Sequence, residues 1–268
     1  AVYEDRWQRG GLPFVVAFAD LGLNPEANET AAEFIRAQIR ATVSDPEVAE
    51  LLCPQTVVGC KRICVDTNYF KTYNRDNVTL VDVSEQGIES ITPKGVRADG
   101  RQFEFDMIIL ATGFDAMTGS LLRIEFEGAR GLRLSDAWKD GPRTFLGIQI
   151  AGFPNLFTIT GPGSPSVLVN MPVAIEHHVE WIADCIAHMQ ERGQTRVEAT
   201  INAQDAWVEH VAEVSDFSLI GKGESWYVGA NIPGKPRVIA PYTGGQPLYR
   251  ERCEAVAKEG YEGMDFSQ

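Results

Sequence analysis

Ala31, Ile35, Ile39 and Val43 recur every four positions, with polar and charged residues filling the gaps. That period predicts an amphipathic helix. Asn24-Pro25 marks its start, a capping side chain followed by a proline whose fixed φ suits the first helical turn. Asp45-Pro46 repeats the signal and predicts a short helix ending near Leu52. The period then changes. VTLVDV (78–83) and IESITPKGVRADGRQFEF (88–105) predict short strands, with Pro93-Lys94-Gly95 and Asp99-Gly100 as turns, and the region closes on the apolar run MIIL (107–110), which enters ATGFD. NLFTIT (155–160) reads as a buried strand and RVIAPY (237–242) as another. Ile175, Val179, Ile182, Ile186 and Met189 alternate spacings of four and three, which predicts one core face of a long helix. That phase puts His178 at the margin of the face and His177 on the outer side. A Trp-containing helix near 203–214, a loop at 221–236 and a short terminal helix complete an α/β pattern without internal repeats.

Bulk properties narrow the function classes. The 268 residues are 44% hydrophobic, enough for one large or two modest domains. A net charge of -13 opposes binding to a phosphate backbone or an anionic lipid surface, so neither nucleic acid nor membrane is the expected partner. No apolar run reaches the roughly 18 residues a spanning helix needs, and no secretory leader pattern opens the chain, so the expectation is a soluble, cytoplasmic protein. The five cysteines are odd in number and scattered, which suits reduced thiols. Cys60 and Cys64 lack the further ligands of a metal clamp, so no metal is expected. The opening AVYEDRWQRGG has no initiator Met and begins inside an amphipathic pattern, as a piece of something longer would.

GPGSPSVLVNMPVAIEHHVEW (161–181) sets a rigid, side-chain-poor loop before a helix start. Such a junction gathers backbone N–H groups at the positive end of the helix dipole and suits an anion or a polarised acceptor. It lacks the G-x-G-x-x-G spacing, since Ser166 takes the third glycine's place and Pro162 and Pro165 remove donors, so it is a poor pyrophosphate cradle. Two readings stand. A flat ring could approach the backbone at Val169, Asn170 and Met171, or the stretch is a helix entry in a packed α/β domain. His177 and His178 lack the two-His spacing of a helical zinc site and read as partly buried structural residues.

MIILATGFDAMTGSL, GPRTFLGIQIAGFPNLFTITGPGSPS, NMPVAIEHHVEW and SWYVGANIPGKPR, with GCKRICVDTNYFKTYNRDNVTLVDV upstream, together resemble the C-terminal half of Baeyer–Villiger monooxygenases, in the phenylacetone, steroid and cyclic-ketone branch. The resemblance runs along essentially the whole chain and implies FAD and NADPH as cofactors. Such enzymes take hydride from NADPH, form a flavin peroxide with O2 and insert one oxygen beside a ketone carbonyl to give an ester or lactone. It implies parts of two Rossmann-like dinucleotide-binding domains with a helical insertion: residues 1–55 as that insertion, 56–114 as the end of the NADP domain, and 115–268 as the C-terminal part of the FAD domain with a mobile loop at 221–236.

Arg62, in GCKR, matches the family's catalytic arginine, a guanidinium able to hold two acceptors in one plane beside the charged flavin adduct. Lys61 matches the lysine that meets the 2′-phosphate of NADPH as a point charge. Thr112 and Gly113 correspond to the turn near the bound nucleotide, and Asn170 and Met171 to the helix entry beside the flavin pyrimidine edge. Ser166, Val167 and Leu168 correspond to a loop bordering the ketone pocket. Trp226 matches a tryptophan on a loop that folds over NADP, which Gly221, Gly223 and Gly229 would make easy to reshape. An ion-paired arginine, a generic strand-end turn and a Trp packed on a helix are the ordinary alternatives for these positions.

The departures are large. The family's two G-x-G-x-x-G loops and its F-x-G-x-x-x-H-x-x-x-W-P signature do not occur in these residues, and neither does the aspartate that partners the arginine. The expected partners are therefore a ketone, O2 and the N-terminal half of the same enzyme. An N-hydroxylating flavin monooxygenase and a non-catalytic interaction module are the other readings; SWYVGANIPGKP and GCKR speak against the former.

Overall fold

The computed structural model describes residues 1–268 as two compact units. The first comprises Ala1–Ala17, Glu29–Gln55 and Ile63–Phe114; the second comprises Phe18–Asn28, Thr56–Arg62 and Asp115–Gln268.

Helix α1 (Val2–Arg9) opens the first unit, and α2 (Pro25–Thr42) begins in the second unit and runs into the first. The expected stripe is the buried one: Ala31, Ile39 and Val43 are buried, with Ile35 packed at the edge. Helix α3 (Pro46–Leu52) starts where Asp45 accepts from the N–H groups of Glu47 and Val48 at 2.9 and 3.3 Å, the N-cap expected of an Asp-Pro start. It completes a small core with Cys53, Phe70 and Tyr73, the last two on and just after α4 (Tyr69–Thr72). Tyr3, Trp7, Phe14 and Phe34 form a second cluster of rings 5.5 to 5.9 Å apart. Strands β1 (Ile88–Thr92), β2 (Gly95–Ala98) and β3 (Arg101–Glu104) form an antiparallel meander. Asp99 and Gly100 both have positive φ, 52° and 67°, the two-residue turn that an Asp-Gly pair favours.

The strands expected at 78–83 and 107–110 are not formed. Neither run joins a ladder, because a strand needs a neighbour and no segment of the chain pairs with them. Met107, Ile109 and Leu110 are 77%, 81% and 72% exposed, and Phe114 is 87% exposed.

The second unit continues with two short helices, α5 (Gly119–Leu122) and α6 (Leu134–Ala137), beside a minor core of Leu134, Trp138, Ile150 and Phe153. Long helix α7 (Met171–Glu191), strand β4 (Arg196–Ala199), helix α8 (Ile201–Asp216), helix α9 (Gln246–Lys258) and strand β5 (Met264–Ser267) follow. β4 and β5 pair antiparallel, a sheet the sequence pattern did not suggest. The main core gathers Phe145, Ile148, Trp181, Cys185, Val197, Trp207, Tyr242, Tyr249 and Cys253. Burial pushes the Cys185 and Cys253 thiols up to about 12. Both sheets are antiparallel, so the architecture is a mixed helix-and-sheet fold. No helix is long and apolar enough to cross a membrane.

NLFTIT and RVIAPY also form no strand. Thr158 N–H bonds Ile148 O and Asn155 N–H bonds Val197 O, while Ala240 N–H bonds Tyr227 O and Tyr242 N–H bonds Ser164 O. Each run thus shares its bonds among separate segments. Pro154, Pro236 and Pro241 remove donors a continuous ladder would need.

The phase expected for α7 holds toward its C-terminal end, where Met189 is buried and Ile182 packs against the main core, and is corrected in its first turns. Its buried residues are Ala174, His177, His178, Trp181, Cys185 and Met189, whereas Ile175 and Val179 are 39% and 47% exposed. Both histidines lie inside. Thr160 N–H and Tyr249 Oη present polar groups to that face, so it accepts the His178 imidazole where an aliphatic count would exclude it.

Candidate functional site

Asn28, within α2, holds the segment that bears Lys61 and Arg62. Its amide donates to Leu21 O at 2.8 Å and Val58 O at 3.0 Å, and its Oδ1 accepts from Val58 N–H at 2.9 Å. It is 4% exposed, so these bonds replace lost water and lock residues 56–62 against 18–28. Lys61 and Arg62 emerge exposed from this tether. Arg62 Nη1 donates to Val167 O at 2.8 Å across 105 residues of sequence. Structure thus brings two of the expected site positions into direct contact.

Val167 is central in a single 3₁₀ turn, Ser166–Leu168. Ser166 enters it with φ 44°, left-handed for a non-glycine residue, and is buried. The turn is held because the preceding loop is clamped. Thr144 Oγ1 donates to Pro162 O at 2.6 Å, Ser164 Oγ donates to Gly161 O at 2.7 Å, and Trp207 Nε1 donates to Gly163 O at 3.0 Å. A Cβ at Gly161 would fall 2.6 Å from Gly147 O, and one at Gly147 would fall 2.6 Å from Ser164 N. The small residues therefore serve close packing of two backbones, which is the helix-entry reading for 161–164.

Asn170, the N-cap of α7, is exposed and makes no side-chain cap bond. Met171 and Pro172 open the 21-residue helix, and the positive end of its dipole sits at this entry. Thr112 and Gly113 belong to the first unit, where both are exposed and Gly113 has φ 82°.

Trp226 opens a 3₁₀ turn (Trp226–Val228) started by Ser225, whose side chain accepts from Tyr227 N–H at 3.2 Å. Trp226 is half-buried, its ring centroid 4.3 Å from that of Tyr227. Tyr227 is 2% exposed; burial raises its phenol pKa, the nearby Arg62 charge opposes the rise, and Cys60 adds to it. Gly223 lies so close to Cys60 that a Cβ there would collide with the cysteine side chain. Arg62 thus bonds the 166–168 turn, and its charge is felt at Tyr227 in the 223–227 segment.

A cleft of about 490 Å³ in this unit is lined by Met117, Leu121, Phe126, Phe157, Thr160 and Ser166, among others. Its wall is fixed from behind by a relay that sequence patterns concealed. Thr160 N–H donates to His178 Nδ1 at 3.0 Å, so Nε2 carries the proton and donates to Tyr249 Oη at 2.7 Å; Tyr249 then donates to Leu146 O at 2.5 Å. Every donor direction is settled by the one before it. Desolvation, and then the neighbouring His177, push His178 down to about 4. His177 is lowered by desolvation as well. Neither Asn28 nor this relay has a local signal, because their partners lie 7 to 103 residues away.

No family model matches the chain. The solved structure of oxidized steroid monooxygenase bound to NADP matches all of the chain and 50% of its own length, with 48% identity and a TM-score of 0.90. A structure of OTEMO with FAD and NADP matches at 40% identity and a TM-score of 0.93, over 99% of the chain and 49% of its own. Solved monooxygenases bound to NADP, or to FAD and NADP, are thus what the chain is similar to along its whole length.

Among proteins of known sequence, the chain is similar to a Baeyer–Villiger monooxygenase from Pseudooceanicola batsensis, 43% identical over 266 residues that make up 98% of the chain and 48% of that protein. A phenazine N-monooxygenase from Lysobacter antibioticus is 38% identical over 266 residues, 98% of the chain and 49% of that protein. The chain spans about half the length of these relatives. The second of them means that the shared blocks do not by themselves separate ketone oxidation from N-oxidation.

Proposed function

We propose that the chain is the Arg62-bearing half of an FAD-dependent, NADPH-using Baeyer–Villiger monooxygenase, which converts a ketone and O2 to an ester or lactone together with the remaining half of the enzyme. The observation that carries this reading is the bond from Arg62 to Val167 O at 2.8 Å. It tethers one end of a group that offers five donors in a rigid fork. A cation oriented by backbone, beside a turn that borders a cleft, can hold negative charge as it develops at the reacting centre.

The residues present fit the ring end of a flavin. The α7 entry offers backbone N–H donors without a side-chain cap, at the positive end of a long helix. They supply no pyrophosphate cradle. When bound, FAD with NADPH would supply the redox chemistry. Asn170 and Met171 would meet the ring edge, Lys61 the 2′-phosphate, and Thr112 and Gly113 the nucleotide. Ser166, Val167 and Leu168 would wall the ketone site, and Trp226 would cover the coenzyme. The exposed apolar positions Met107, Ile109, Leu110 and Phe114 support the remaining half as the partner that covers them.

Oxidation of an aromatic ring nitrogen is the second reading, favoured by the phenazine N-monooxygenase relative. The test supplies FAD-loaded, NADPH-reduced full enzyme with a panel of ketones and, separately, N-heterocycles, and identifies products by mass. Esters are expected, and Arg62→Ala is expected to retain FAD while losing them. Unchanged ester yield in that variant would remove Arg62 from the chemistry. N-oxides without esters would select the second reading, and no product from either would leave a binding module.

A further inference from the structure

We propose that Lys235 and Asp115 form a latch that fixes segment 221–236, a positioning pair for the loop that carries Trp226. The inference rests on the reading of that loop as the coenzyme cover. Lys235 Nζ lies 2.5 Å from Asp115 Oδ1 and 3.0 Å from Ala116 O, joining residues 120 positions apart. Their side chains are 16% and 33% exposed, which sets the pair apart from the surface ion pairs that contribute little.

Glycines make room on both sides. A Cβ at Gly119 would fall 2.5 Å from Asp115 Cγ, and a Cβ at Gly229, where φ is +74°, would fall 3.3 Å from Lys235 Cγ and Cδ. Any side chain at 119 would displace the carboxylate. At its other end, the segment is seated by Gly221 against Ser215 and Gly223 against Cys60. Residues 225–230 are pinned by Tyr227 N–H to Ser225 Oγ, Val228 and Ala230 N–H to Ser225 O, Gly229 N–H to Trp226 O and Ala240 N–H to Tyr227 O, whereas the stretch up to Lys235 has Ile232 N–H to Gly229 O and Lys235 N–H to Ile232 O as its backbone bonds. A span so lightly bonded depends on its ends. Asp115 is also the first residue of the second unit after Phe114, so the latch ties the loop to the point where the chain enters that unit. With Lys235 held, the stretch 230–235 that follows the Trp226–Val228 turn keeps its place.

The test compares Lys235→Met, Asp115→Asn and the conservative Lys235→Arg in the flavin-loaded full enzyme, reading hydrogen exchange by segment and, separately, NADP⁺ affinity by titration. Loss of one charged hydrogen bond is expected to speed exchange at residues 230–235 by about tenfold in the first two variants, with an intermediate effect for Lys235→Arg. Helices α7 and α8 should exchange as before, and NADP⁺ should bind more weakly. Unchanged exchange at 230–235, or equal acceleration through α7 and α8, overturns the latch. Faster local exchange with unchanged NADP⁺ affinity keeps the latch and overturns the coenzyme role of the loop.

Discussion

Replacing His178 with glutamine should flatten one part of the protein's pH profile. His178 is 1% exposed, accepts a backbone N–H at Nδ1 and donates at Nε2, so its buried form is neutral. Its ordinary value of 6.5 falls to about 4 in the folded protein. A lowered histidine value means that the unfolded chain binds more protons between these limits. The associated stability is present above pH 6.5, declines as pH falls and is gone below about pH 4, with a full span of about 3 kcal/mol. By pH 5, about 2 kcal/mol of it should be lost.

Urea unfolding midpoints at pH 7.5 and pH 5.0, for wild type and variant, measure this directly. Glutamine cannot titrate, so the drop between the two pH values should be about 2 kcal/mol smaller in the variant, although it starts from lower stability because the relay is broken. Comparing the variant with wild type cancels the contributions of His188, His210 and the carboxylates, which both proteins retain. An identical drop in both proteins would show that His178 takes up its proton as readily in the fold as in the unfolded chain, and the relay as drawn would be wrong.

Asn28→Ala removes three hydrogen bonds around a buried tether and should cost about 2–3 kcal/mol, read as a lowered urea midpoint. Gly147→Ala places a methyl against Ser164 at a φ of +69° and should destabilise by more than 1 kcal/mol, with a lowered melting temperature as the check. Trp226→Ala should weaken NADP⁺ binding and raise hydrogen peroxide release per NADPH consumed; unaltered affinity and coupling would count against the cover reading.

What could be read in advance was whatever depends on neighbours in sequence. The α2 stripe, the Asn-Pro and Asp-Pro starts and the Asp-Gly hairpin are set by residues within about four positions of one another, and each appears where those residues place it. Arg62 and Val167 could be named singly through family resemblance, but their contact spans 105 residues and no spacing rule reaches that far. Tyr249 and Leu146, at the far end of the relay, are 103 residues apart.

Periodicity failed in an instructive way at α7. Counting aliphatic residues chose Ile175 and Val179 for the core, yet the fold buries His177 and His178 there, because Thr160 and Tyr249 satisfy the His178 ring, Leu146 O accepts from Tyr249, and Tyr249 packs against the ring of His177. An apolar period reports which positions can shed water, whereas fixed partners at His178 and ring packing at His177 decide which ones do here. The runs at 78–83 and 107–110 make the complementary point. Their composition suits a sheet interior, but the ladder that would bury them requires a neighbour, and strand formation is a property of the pair.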